Sequence, residues 1–116
     1  MLLMLLLIIL DQVSKYFLTT TINYGAAFSL FQGYTAFLII ISLIVLIACI
    51  YYYKEKKLRI GLNFLISGII GNLIDRIYFG YVRDFINLRI FPVFNLADMF
   101  NIIGAALIIY ISFKKK

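Results

Sequence analysis

The sequence predicts an all-α membrane protein: four transmembrane helices, with a small β-like loop cradle on the extracytoplasmic side. Three observations carry this. The chain of 116 residues is 65% hydrophobic and 14% charged, whereas soluble domains are nearer half apolar and about a quarter charged. Its mean hydropathy is +1.05, and a fold this small could not hide so much apolar surface from water. Four apolar segments each approach the ~20 residues a helix needs to cross the hydrocarbon core. The length allows one integral-membrane domain over residues 1–116.

The first helix is expected over residues 1–18. Its opening MLLMLLLIIL also suits a secretory signal, but it lacks a basic leading region and a small-x-small cleavage site, so a retained helix is preferred. The second helix, about 34–53, ends in Tyr51, Tyr52 and Tyr53, a fit to the aromatic belt at a membrane interface. The third, about 58–78, contains SGIIGN, where Gly68 and Gly71 leave room for a neighbouring helix. The fourth is expected over about 91–113. Between the first two helices, TTTINYGAAFSLFQG (residues 19–33) combines β-branched residues with a Gly turn. It reads as a short extended or hairpin-like surface segment. VRDFINLRI after the third helix alternates apolar and polar residues, which predicts another short strand or amphipathic stretch.

The net charge of +6 is not a nucleic-acid signal. Lys54, Lys56, Lys57 and Arg59 occupy one loop, and Lys114, Lys115 and Lys116 form the tail. Basic clusters beside apolar spans mark the cytoplasmic side, so both termini are expected there, with anionic lipid as a secondary partner. Histidine is absent and Cys49 is the only cysteine, which removes His-based triads, Cys-His dyads and an intrachain disulfide. Neither a metal nor a cofactor is expected. Cys49 lies in LIVLIACIYYY and reads as a small apolar residue.

The five acids are Asp11, Glu55, Asp75, Asp84 and Asp98. Glu55 sits in the basic loop as a solvated charge. The other four fall toward the outer ends of the expected helices. Ionisable groups at membrane depth are costly, from about 2.5 kcal/mol upward, and usually face a bundle interior or a watery cavity. Each has a bland explanation. Asp11 and Lys15 can pair at i,i+4; Asp75 and Arg76 can form an interfacial anchor with the Arg snorkelling outward; Asp98 can bond across helices to Asn side chains. Taken together they point elsewhere. Asn72 shares a helix face with Asp75, and Asn95 and Asn101 share one with Asp98, all at i,i+3. Two helices thus present polar faces to one outer cleft, with Asp84 hanging over it. Two carboxylates in a low-dielectric site share a proton; such a pair activates water as a base and protonates a leaving amine as an acid. A small proton-coupled transporter is the alternative, since membrane carboxylates also relay protons. It would favour acids at mid-membrane and an internal repeat. A non-enzymatic assembly subunit has no need of convergent Asn/Asp faces.

Five motifs occur in order: DQVSK (Asp11–Lys15), NYGAAFS (Asn23–Ser29), GNLIDR (Gly71–Arg76), VRDF (Val82–Phe85) and FNLAD (Phe94–Asp98). On them the chain resembles the bacterial lipoprotein signal peptidases, or signal peptidase II, a family of intramembrane aspartyl proteases. The resemblance implies that Asp84 and Asp98 are the catalytic pair. It places Asn23, Gly25, Asn72, Asp75, Arg76 and Asn95 among residues that bind substrate or support the site, and Asp11 and Lys15 as braces or substrate contacts. It further implies hydrolysis of diacylglyceryl-modified prolipoproteins just before the lipidated Cys, in the bacterial cytoplasmic membrane, by a monomer. The segment joining the first helix to NYGAAFS is shorter than the family leads one to expect.

Overall fold

A computed structural model describes residues 1–18, 20–26 and 33–114. The chain runs α1 (Leu2–Phe17), β1 (Thr21–Asn23), α2 (Thr35–Tyr52), α3 (Arg59–Phe79), β2 (Val82–Asp84) and α4 (Leu96–Phe113), with a single 3₁₀ turn at Lys56–Leu58 before α3. The extended segment expected over 19–33 is present at Thr21–Asn23; residues 27–32, which include part of NYGAAFS, lie outside the described residues, as do Thr19, Lys115 and Lys116.

Helix α3 is the hub, with α1, α2 and α4 all packed on it. Glycines make its approach to α4 close. A Cβ on Gly104 would lie 2.5 Å from the Leu65 amide nitrogen and 2.6 Å from the Gly61 carbonyl oxygen, so only hydrogen fits at that crossing. Gly68 opposes the Ala97 carbonyl and the Asn101 side chain, and Gly71 opposes the Asp11 carboxylate. α3 ends at Gly80, whose φ of 81° turns the chain out of the helix while its N–H returns to the Arg76 carbonyl, the usual job of an αL glycine.

The burial is inverted relative to a soluble protein. Large apolar side chains such as Ile47, Ile50, Tyr110 and Ile109 lie exposed along the helices, while among the described residues six of the seven most completely buried larger side chains are polar: Asn95, Asp11, Asp75, Asp84, Asp98 and Ser67. Apolar outside and polar within is the arrangement lipid requires. Among the described residues, three helical stretches are long and apolar enough to span a bilayer: Thr35–Tyr52, Lys56–Phe79 and Leu96–Phe113. α1 has 16 residues, about 24 Å at 1.5 Å per residue. It turns Leu7, Asp11 and Lys15 inward at i,i+4 spacing and leaves Leu5, Leu6, Ile9 and Leu10 outside.

The strands form an antiparallel pair with Thr21 opposite Asp84 and Asn23 opposite Val82. A further bridge, Ile86 to Phe94, closes the loop between them and α4. That bridge corrects the expected start of the fourth helix at 91. Residues 91–95 are not helical: Phe94 bonds to Phe85 and Ile86, and Pro92 disfavours helix in the residue before it. The helix starts at Leu96, with Asn95 as its cap.

Candidate active site

Asn95 and Asp98 build the start of α4. The Asp98 N–H donates to Asn95 Oδ1 at 2.9 Å, and the Asn95 N–H donates to Asp98 Oδ2 at 3.2 Å. This reciprocal capping box satisfies two N–H groups that a helix start leaves unpaired. It also fixes the Asp98 carboxylate beside the positive end of the helix dipole. Its other oxygen, Oδ1, accepts from Asn72 Nδ2 at 2.9 Å, so α3 and α4 hold Asp98 jointly.

Asp84 arrives from β2. Strand alternation turns Val82 and Asp84 inward, both at most 1% exposed. Asn95 Nδ2 donates to Asp84 Oδ1 at 2.7 Å and to Asn72 Oδ1 at 3.0 Å. Asp84 and Asp98 are therefore joined through two side-chain amides, Asn95 and Asn72. Asn23 also bonds to Asp84. Its own amide closes a turn, accepting from the Gly25 N–H and donating to the Ala26 carbonyl, both at 2.8 Å. Burial, then the charge of Asp98, pushes the Asp84 carboxyl up to about 7, against the bonds from Asn23 and Asn95 that favour its ionised form.

A second buried network braces the first. Lys15 Nζ lies 2.8 Å from Asp11 Oδ2 and 3.3 Å from Asp75 Oδ2, and donates to Asn72 Oδ1 at 3.2 Å. The i,i+4 pair expected from sequence is thus formed, but within a larger cluster. Asp11 Oδ1 accepts the Ala97 N–H at 2.9 Å, capping the first turn of α4 from a helix 86 residues away. Asp75 is held by Arg83 through the backbone N–H at 2.9 Å, Nε at 3.2 Å and an Nη at 2.9 Å. Gln12 links the same groups, donating to Asp75 and accepting from Arg83. Arg83 and Gln12 were not singled out from sequence, although both sit inside quoted motifs. Strand alternation beside Asp84 is the signal that turns Arg83 the opposite way.

Asp75 and Arg76 do not form the interfacial anchor that sequence allowed: they are 0% and 8% exposed. Arg76 donates to the Gly25 carbonyl at 3.1 Å, lies in the field of Asp98, Asp84 and Asp75, and keeps a buried Nε with no hydrogen-bond partner among the described residues. Asn101 packs below Asp98 against Gly68, its Oδ1 likewise unpartnered there. Every sequence-derived site residue — Asp11, Lys15, Asn23, Gly25, Asn72, Asp75, Arg76, Asp84, Asn95 and Asp98 — falls in this one connected cluster. Four carboxylates face three cations, Lys15, Arg76 and Arg83. One negative charge is left over, and a single proton neutralises the set. Among the described residues, no three Asp, Glu, Cys or His side chains converge as metal ligands.

A family model described as signal peptidase (SPase) II matches residues 3–114. The lipoprotein signal peptidase of Moorella thermoacetica is 37% identical over 93% of this chain and 88% of its own length. That of Clostridium novyi is 41% identical over 74% of this chain, an alignment spanning 65% of the relative. A solved bacterial membrane enzyme superposes with a TM-score of 0.86 at 32% identity, covering 99% of this chain and 90% of that one. None of these relatives supports the transporter alternative. The ordered motifs, the matched length and the shared architecture agree: the chain belongs to the signal peptidase II family, the lipoprotein signal peptidases.

Proposed function

We propose that this protein is an aspartic endopeptidase that removes the signal peptide from diacylglyceryl-modified prolipoproteins, cutting just before the lipidated Cys, with Asp84 and Asp98 as its catalytic pair. The observation that carries this is the convergence of those two acids, from β2 and the start of α4, on the Asn95–Asn72 amide bridge. In the proposed step a water oxygen attacks the scissile carbonyl carbon and passes a proton to Asp98. Asp84, whose carboxyl is raised to about 7 by burial and the Asp98 charge, gives a proton to the amine nitrogen as the C–N bond breaks. The Arg76 guanidinium supplies a donor for a substrate carbonyl. Asn23, Gly25, Asn72, Asn95 and Asp75 support the site, and Asp11 with Lys15 holds the start of α4 in place.

The same reading sets the protein in the bacterial cytoplasmic membrane as a monomer. α1 makes a fourth crossing, both termini are cytoplasmic and the acids lie near the outer face. The basic loop before α3 and the basic tail after α4 support this orientation. The experiment is cleavage of a diacylglyceryl prolipoprotein by purified enzyme, with unlipidated substrate as control. Asp84→Asn and Asp98→Asn should each lose activity by at least about 10²–10⁴-fold while still inserting and folding. Cleavage by Asp98→Asn at the wild-type rate overturns the assignment.

A further inference from the structure

At the end of the bundle opposite the carboxylates, α2 and α4 lean on α3 and leave a groove of about 330 Å³ between them. Val45 and Cys49 of α2, Leu62 and Leu65 of α3, and Ile108 and Ser112 of α4 form its walls. At about 30 Å³ for a water-sized group, it holds on the order of ten methylenes. Leu58 closes it at the basic loop, and the two residues before Leu58 are Lys56 and Lys57.

The cations of that loop are not equivalent. Lys54 lies over the Tyr51 ring at 4.1 Å. Arg59 lies over Tyr53 and donates to its carbonyl at 2.8 Å. Lys56 and Lys57 are exposed, and their ammonium groups, among the described residues, form none of the ion pairs or hydrogen bonds. Lys114 is exposed at the end of α4, two residues past Ser112 in the groove wall. An apolar slot for a hydrocarbon chain thus opens beside uncommitted ammonium groups, with Glu55 as the only acid in that loop.

We propose that this groove is a binding site for an anionic phospholipid, one acyl chain lying between α2 and α4 and the phosphate resting on Lys56 and Lys57. A zwitterionic lipid fills the same slot but gains less from the cations, because its headgroup carries its own positive charge. Basic pockets between transmembrane helices select anionic headgroups for this reason. The site is separate from the carboxylate cluster, so occupancy acts on the packing of α2 and α4 and leaves the acids untouched.

The test uses full-length protein, stripped of lipid in a neutral detergent and titrated with phosphatidylglycerol or phosphatidylcholine of equal chain length. Retained lipid is read by native mass spectrometry. Wild type should retain phosphatidylglycerol about tenfold better. Lys56→Gln with Lys57→Gln, both at the surface, should bring it down to the phosphatidylcholine level. Ala48→Phe, also an exposed position lining the groove, should reduce retention with both lysines intact. Equal retention of the two lipids by wild type overturns the proposal, as does a preference that survives the lysine pair. Displacement of the lipid by millimolar glycerol phosphate overturns the acyl-chain part, since the headgroup alone would then suffice.

Discussion

An Asp84→Asn substitution removes a carboxyl that the fold pushes up to about 7, yet keeps an oxygen able to accept from Asn95 Nδ2, now at 2.7 Å. In the unfolded chain this carboxyl loses its proton near the ordinary 3.8; in the folded chain it does so near 7. Between those values the native state holds more protons, so stability falls as pH rises through the window. The displacement of about three units, at 1.36 kcal/mol each, makes the native state lose on the order of 4 kcal/mol between pH 4 and pH 8. Asparagine does not titrate, so the variant escapes that loss. Thermal unfolding in detergent should show wild type losing more Tm toward pH 8 than Asp84→Asn, which becomes the more stable protein there. The same variant should cleave nothing. If the two melting curves run parallel from pH 4 to pH 8, burial and the Asp98 charge do not raise this carboxyl, and the proposed acid is the wrong one.

Three further outcomes follow from the geometry. Arg83→Gln removes two of the three bonds that Arg83 makes to Asp75 and keeps the backbone one. With Lys15 still 3.3 Å away, the loss should be about 2–3 kcal/mol by denaturant titration, below the 3–5 kcal/mol of a fully orphaned buried charge, with kcat reduced because β2 also carries Asp84. Asp11→Ala strands Lys15 and the Ala97 N–H together and should cost at least about 3 kcal/mol; Asp11→Asn, which can still accept from Ala97, should recover part of it. Gly104→Ala sets a Cβ 2.5 Å from Leu65 and 2.6 Å from Gly61 backbone, whereas Gly61→Ala meets the Ile108 side chain at 2.9 Å and backbone no closer than 3.2 Å. The first should therefore destabilise by about 3 kcal/mol or more and the second by about 1 kcal/mol, as compared by their unfolding midpoints.

Much of the site was legible because its parts are local. Asn95 and Asp98 sit three residues apart at the start of α4, Asn72 and Asp75 three apart in the C-terminal half of α3, and apolar surroundings made each polar residue conspicuous. Contacts between distant segments could not be read that way. The Asp11 cap on Ala97 and the Arg83 contact to Gln12 join positions 86 and 71 residues apart, and no periodicity encodes them. The burial of Arg76 was hidden for a similar reason: at the end of a helix, snorkelling and turning inward look alike until the Gly25 carbonyl is in place to receive it. The start of α4 was set too early because Phe91, Val93 and Phe94 are as apolar as the helix they precede. What excludes them is the Ile86–Phe94 bridge.

The amide bridge between the two acids has an electrical consequence. Asn72 and Asn95 neither gain nor lose a proton across the working pH range, so the path from Asp84 through Asn95 and Asn72 to Asp98 is a mechanical strut and a proton insulator. A proton can cross from one acid to the other only through water or a peptide group lodged between them. In the proposed pair, the two amides thereby hold the carboxylates in place without themselves passing a proton between them.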